Sequence, residues 1–94
     1  MCDSGISASD LEMFIKRLAD TFRDMGSLED IEKWLESQPC VISVSTADYL
    51  IKTAPPQKEI SVTFKVDDGS FITKVIDVIL YPDQRLGLAG VHEP

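Results

Sequence analysis

The sequence has few of the residues on which enzymes and membrane proteins depend. Its single histidine, His92, lies near the C-terminal end, where the chain is expected to fray. General acid–base catalysis near neutral pH most often uses histidine, so we expect no catalytic residues, no metal site and no cofactor. The longest apolar run is Val78–Leu80 with Tyr81 beside it. Crossing a bilayer takes about 20 apolar residues, so we also expect no membrane span.

Cysteine is nearly absent as well, with only Cys2 and Cys40 in the chain. We expect residues 1–8 to form a flexible tail and Cys40 to be a small buried side chain that begins a strand. Reduced thiols in the cytoplasm are the favoured state, and a disulfide between the two is the minor alternative. A Cys40 nucleophile served by His92 would require the C-terminal residues to fold back over the first strand.

The N-terminal and glycine-containing segments show no targeting or phosphate-binding pattern. Residues 1–5 lack the basic start and the apolar run of a signal peptide, so a cytoplasmic location is expected. The segment Gly87–Gly90 has neither a following helix nor a lysine, so it does not match a phosphate-binding loop. With 44% hydrophobic and 27% charged residues, the 94-residue chain is typical of one soluble domain.

Basic residues are fewer than acidic residues, and the acidic excess is unevenly distributed along the chain. The formal net charge is −7, with 9 acidic against 4 basic residues in 1–39 and 7 against 5 in 40–94. Such a field repels phosphate backbones, so we expect no direct binding to nucleic acid. It favours a protein partner with basic residues.

Two helices are predicted over residues 9–37. Ser9-Asp10-Leu11-Glu12 has the spacing of a capping box, so the first helix should begin there and stop at a left-handed Gly26. Ser27 caps a second, short helix that must end before Pro39. Apolar residues at steps of three and four give each helix one apolar stripe: Leu11, Phe14, Ile15, Leu18, Phe22 and Met25, then Leu28, Ile31, Trp34 and Leu35.

An antiparallel sheet is predicted over residues 40–91. The first part is either one bent strand or two short ones, and prolines then break the chain before a second strand with fault-free alternation. The predicted segments are 40–46 with 49–53, 58–66, 70–81 and, as a candidate fourth strand, 85–91. The fold class is therefore α+β, with two N-terminal helices packed on a three- or four-stranded antiparallel meander.

The turn between the second and third strands decides which side chains face the core. Asp68-Gly69 has the chemistry of a two-residue type I′ loop, which pairs Ile60 with Asp77 and turns that acid toward the core. The opposite side of the third strand is at least as apolar, with Ile72, Ile76, Val78 and Leu80. A bulge that switches the inward face and a strand covered on both sides are both open alternatives.

The function favoured by these patterns is a small acidic, non-catalytic protein-binding module. The candidate partner-binding residues are an acidic strip on the second helix and an apolar segment after the first strand: Glu29, Glu32, Glu36, Tyr49 and Ile51. A solvated helix face, with Glu29 and Lys33 as an i,i+4 pair, is the favoured explanation of the strip. A homodimer formed through a sheet edge or face is the related expectation.

Two functions from other classes are also consistent with the sequence. One is a small-molecule-binding or enzymatic domain, with a pocket between helices and sheet and Asp77 as its polar anchor or base. The other is an acidic mimic of nucleic acid that blocks a basic protein, for which the helical carboxylates would imitate phosphates. Asp77 discriminates the pocket hypothesis from the other functions, because a solvent-facing Asp77 would remove the specific support for a pocket.

Overall fold

The computed structural model describes residues 1–94 except Met1 and Asp3, and in it two helices are followed by a four-stranded sheet. The elements are α1 Ala8–Arg23, α2 Leu28–Glu36, β1 Val41–Thr46, β2 Gln57–Lys65, β3 Phe71–Leu80 and β4 Leu86–His92. This order confirms the predicted α+β fold, and it includes the fourth strand that the sequence left open. Neither helix in the described part of the chain is long and apolar enough to cross a membrane.

Helix α1 begins slightly earlier than the capping box predicts. Its N-cap is Ser7 rather than Ser9, and the Ser7 hydroxyl accepts a hydrogen bond from the Asp10 N–H. The neighbouring Ile6 forms a bridge with Val66 of the sheet side, so the backbone is still extended where the helix starts. The last extended residue with a hydroxyl is therefore the one that caps the helix.

The end of helix α1 does not use a left-handed glycine. Its C-cap is Asp24, with a right-handed φ of −92°, and the Asp24 N–H donates to carbonyl groups of the last turn. Gly26 does not have a positive φ, so the predicted left-handed stop is wrong. Helix α2 begins as predicted at Ser27, whose hydroxyl accepts a hydrogen bond from the Asp30 N–H.

The four strands pair in the order β1-β2-β3-β4, so each strand lies beside its neighbour in the chain. Between β2 and β3, Lys65 pairs with Phe71 and Ile60 pairs with Ile76, without an irregularity along the hairpin. The predicted register, which paired Ile60 with Asp77, is wrong by one residue. A slip of one residue moves every side chain of a strand to the other face.

A three-residue loop, Asp67–Gly69, accounts for this register. The Val66 N–H donates to the Ser70 carbonyl at 2.8 Å, and the Gly69 N–H donates to the Val66 carbonyl at 3.0 Å. Gly69 has a φ of +87°, a conformation that glycine adopts without strain. The Asp68 carboxylate accepts a hydrogen bond from the Ser70 N–H at 2.9 Å. Such loops with a left-handed third residue are common hairpin closures.

Both helices pack on one face of the sheet, which we call the covered face. The buried residues there are Leu11, Leu18, Phe22, Ile31, Leu35, Ile60, Val62, Phe64, Ile76, Val78 and Leu86. The more apolar side of β3 thus faces the helices, together with the apolar side of β2. Burial of this side favours the three-residue loop over the two-residue loop, since the latter would direct Asp77 to the core.

Cys2 and Ile6 of the described N-terminal residues are joined to the rest of the fold. The flexible tail that the sequence predicts over residues 1–8 also includes Met1 and Asp3, which lie outside the described residues. Ile6 forms a parallel bridge with Val66, and Cys2 forms a disulfide bond with Cys40 across a Cα–Cα distance of 4.9 Å. Cys40 is thus half-buried and bonded, not the free thiol that the sequence favours. Gly5 permits the approach, because a Cβ atom there would lie 2.3 Å from the Val66 carbonyl oxygen.

Candidate functional site

The face of the sheet that points away from the helices, which we call the open face, is left uncovered by both helices. It carries Ser43 and Ser45 of β1, Glu59, Ser61 and Thr63 of β2, Phe71, Thr73, Val75, Asp77 and Ile79 of β3, and His92 of β4. The hydroxyl groups of Thr63 and Thr73 lie 2.9 Å apart and are hydrogen-bonded. Short hydroxyl side chains make much of this face flat.

Asp77 lies on the open face, and the prediction that it faces the core is wrong. It pairs with Glu59 across β2 and β3, and 16% of its side chain is exposed. The three-residue loop is the cause, because it rotates every odd position of β3 away from the helices. A pocket between helices and sheet with Asp77 as its anchor therefore loses its specific support.

Three titratable side chains meet on the open face, and we call them the acid–histidine cluster: Glu59, Asp77 and His92. The His92 Nε2 atom lies 3.0 Å from Asp77 Oδ2 and 3.7 Å from Glu59 Oε2. The Tyr49 hydroxyl donates a hydrogen bond to the Glu59 Oε1 atom at 2.5 Å. Three neighbouring strands supply the cluster, so the hydrogen-bond ladder of the sheet fixes the spacing of its backbone.

Sequence reasoning missed this cluster because it assigned His92 to a frayed end. In the structure β4 continues through His92, which pairs with Val75. The candidate strand over residues 85–91 was the available signal, because extending it by one residue would have included His92. The wrong register hid the rest, since it separated Asp77 from Glu59.

Hydrogen bonds at the cluster shift two pKa values. The pKa of His92 is raised, first because its Nδ1 atom contacts the Glu93 backbone carbonyl at 2.9 Å and then because the Asp77 and Glu59 charges favour imidazolium. Partial desolvation opposes this rise. The pKa of Tyr49 is also raised, chiefly by its hydrogen bond to Glu59. These shifts favour a charged His92 and a neutral Tyr49.

The cluster also has the composition of a metal-binding group. Glu59, Asp77 and His92 each offer one ligand atom, and these atoms all lie within 4.8 Å of one another. One imidazole and two carboxylates are a common ligand set for divalent transition metals.

A second feature lies on the helix side, where a cavity of about 590 Å³ is bordered by α1, the end of α2 and the N-terminal segment. The Phe14 ring stacks on Trp34 at a centroid distance of 5.4 Å and meets Phe64 edge-on at 5.6 Å. Asp10 and Arg17 add polar groups to the lining. This volume fits a small molecule. Asp77 does not contribute to it.

The acidic strip on α2 does not form one surface with the apolar segment after β1. Glu29 and Glu36 are exposed, but Glu32 is half-buried and accepts a hydrogen bond from the Thr46 hydroxyl of β1. The strip therefore lies with α2 on the helix side of the sheet.

The segment after β1 lies partly toward the open face. Tyr49 is 60% exposed, and its hydroxyl reaches Glu59 on that face. Ile51 is half-buried and forms a backbone bridge with Gln57. Gln57 pairs in turn with Ile79 of the open face. Of the five predicted partner-binding residues, Tyr49 and Ile51 are thus the two that lie beside the open face.

No protein-family model, no curated protein and no solved structure matches this chain. What the protein does is therefore inferred from the geometry of its own residues.

Proposed function

We propose that the protein is a non-catalytic protein-binding module and that the open face is its docking surface. The observation that carries this proposal is the one-sided covering of the sheet, which leaves large aromatic side chains in solvent. Phe71 is 63% exposed and Tyr49 is 60% exposed. Tyrosine and tryptophan contribute most to many interfaces, and phenylalanine is enriched in interface cores.

The flatness of the open face and the net charge of the chain support a protein partner. Ser45, Ser61, Thr63 and Thr73 present short side chains across three strands, and a flat surface suits another extended protein surface better than a small molecule. The net charge of −7 favours a partner with basic residues. A second copy of the chain is the alternative occupant.

A matched pair of substitutions tests the docking surface. We expect Phe71→Asp to abolish capture of the native partner by the immobilised chain, because it introduces a charge into a contact that binding would desolvate. Met13→Asp is the control, since Met13 is a large apolar side chain that is 49% exposed on α1. Circular dichroism should show both variants folded, because neither side chain is buried.

Each outcome of this experiment has a clear meaning. Light scattering after size-exclusion chromatography should show a monomer for a module that binds a different protein. A dimer that Phe71→Asp dissociates would identify a second copy as the occupant of the open face. Loss of capture by Met13→Asp alone would contradict the proposal, because it would place the partner on the helix side, where Met13 lines the cavity.

The cytoplasmic location expected from the sequence stays a prediction. It requires Cys2 and Cys40 to be reduced, because cytoplasmic thiol systems keep such cysteines free. The structure has the two residues bonded. Labelling of free thiols in rapidly quenched cells is the measurement that decides, and a persistent disulfide would contradict this location.

A further inference from the structure

The acid–histidine cluster carries an inference beyond partner binding. Glu59 and Asp77 are directly opposed on β2 and β3, and His92 pairs with Val75, two residues from Asp77 on the same face. Adjacent carboxylates repel each other, and the repulsion is stronger where water is partly excluded. The exposed fractions of the Glu59 and Asp77 side chains are 23% and 16%. A cation between them would offset this cost.

We propose that the cluster is a binding site for a zinc ion, with His92 Nε2, Asp77 Oδ2 and Glu59 Oε2 as its ligands. Zinc binds imidazole and carboxylate at roughly 2.0–2.2 Å, so the ligand atoms of a tetrahedral site lie about 3.4 Å apart. Two of the separations here are 3.0 Å and 3.7 Å. They bracket the required value, and the three residues offer ligand atoms that all lie within 4.8 Å of one another.

The contacts around the ligands orient them as zinc sites require. The Glu93 carbonyl oxygen can only accept a hydrogen bond, so the His92 Nδ1 atom must donate at their distance of 2.9 Å. This leaves Nε2 directed at Asp77. Tyr49 holds the Oε1 atom of Glu59, which leaves Oε2 for the metal. Zinc-binding histidines almost always have such a partner on the second nitrogen, and zinc-binding carboxylates are also hydrogen-bonded.

A buried oxygen atom gives independent support. Among the side chains that the structure describes, Asp77 Oδ1 is buried and has no hydrogen-bond partner. A buried oxygen without a partner is costly, and the rest of the fold contains no second case in its described part. A zinc ion held by Oδ2 would neutralise the charge of the carboxylate to which this buried oxygen belongs.

The ligand set favours zinc over magnesium or calcium. Magnesium and calcium prefer sites made entirely of oxygen, whereas an imidazole nitrogen among the ligands favours a transition metal such as zinc. Three protein ligands would leave a fourth position for water or another ligand. The sequence predicts no metal here, because it places His92 at a frayed end.

Isothermal titration of zinc chloride into metal-stripped protein tests the site. We expect saturable binding of one ion per chain and a rise in the thermal unfolding temperature, with no response to magnesium. Cobalt(II) should give the visible absorption of a tetrahedral site. The Cys2–Cys40 bond is verified by mass spectrometry beforehand, so that free thiols do not bind the metal.

Substitutions assign the binding to the cluster. His92→Gln and Asp77→Asn should each weaken zinc binding by about 100-fold or more, and Tyr49→Phe by about 10-fold, as loss of an orienting group does. Asp83→Asn is the matched control, because Asp83 is an exposed carboxylate paired with Arg85 outside the cluster, and it should leave binding unchanged.

Two results would overturn the proposal. One is the lack of saturable zinc binding by the unsubstituted protein up to about 1 mM. The other is an affinity that His92→Gln and Asp77→Asn leave the same as the control does. The first result is measured on the unsubstituted protein, so it tests the proposal even if a substituted variant does not fold.

Discussion

The two faces of the sheet differ sharply although they share every strand. On β2, Ile60, Val62 and Phe64 are at most 1% exposed, whereas the intervening Glu59, Ser61 and Thr63 are only half-buried. The buried residues of the covered face are all apolar, so this face contributes most of the stability. The open face combines hydroxyls, an exposed aromatic ring and a charged cluster. Stability and the proposed binding thus reside on opposite sides of the same backbone.

Substitution of two isoleucines of β3 would measure how much more the covered face contributes to stability than the open face. Ile76 is 1% exposed on the covered face, and Ile79 is half-buried on the open face. Ile76→Ala should lower the free energy of unfolding by about 2–5 kcal/mol, because it leaves a cavity among helices and sheet. Ile79→Ala should cost about 1 kcal/mol. Urea denaturation of both variants is the measurement, and equal losses would show that the open face is covered in solution.

The glycine that sets the register has the next largest expected effect. Gly69 and Gly90 both have free space where a Cβ atom would lie, but only Gly69 has a positive φ. Gly69→Ala should therefore cost about 1–2 kcal/mol through backbone strain alone. Gly90→Ala should stay within about 0.5 kcal/mol of the parent. Equal losses of stability in Gly69→Ala and Gly90→Ala would show that the positive φ of Gly69 is not the source of the cost.

The smallest expected effect is the pH dependence of the turn. The pKa of Asp68 is lowered, mainly by hydrogen bonds from the Ser70 hydroxyl and backbone N–H. A lowered pKa in the folded state stabilises the protein above the unfolded pKa of about 3.9, and this contribution is lost as pH falls through the folded value. Asp68→Ala should be less stable than the parent at neutral pH, and the gap should narrow in acid.

Denaturation curves at several pH values check this prediction. The gap is expected to be small, because Asp68 is exposed and solvent screens its charge. A stability difference between the parent and Asp68→Ala that grew in acid would contradict this prediction.

The element order was predictable because hydrophobic period and cap chemistry are local signals. Ser27 and the alternation along β2 gave a helix start and a strand that the structure confirms. The register was not predictable from the turn, because the Asp68-Gly69 sequence fits both a two-residue and a three-residue loop. The choice depends on burial of one side of β3 beneath the helices, which is a tertiary effect.

The cluster was beyond the sequence for the same reason. Glu59, Asp77 and His92 are far apart in the chain, and only the correct register and a fourth strand bring them together. Tyr49 was identified as a candidate partner-binding residue, but its hydrogen-bond partner Glu59 was not. The disulfide was likewise weighed and not favoured, because a spacing of two cysteines does not reveal that Ile6 holds the N-terminal segment against the sheet.

The Cys2–Cys40 bond has a mechanical consequence. Both helices lie between the two cysteines, so they belong to a closed covalent ring that ends where β1 begins. A pull on the chain at Cys2 passes through the sulfur atoms into the sheet, and neither helix bears the tension. An unfolding machine that engages this end would therefore have to break strand pairing first, and reduction of one bond would expose the helices to the force instead.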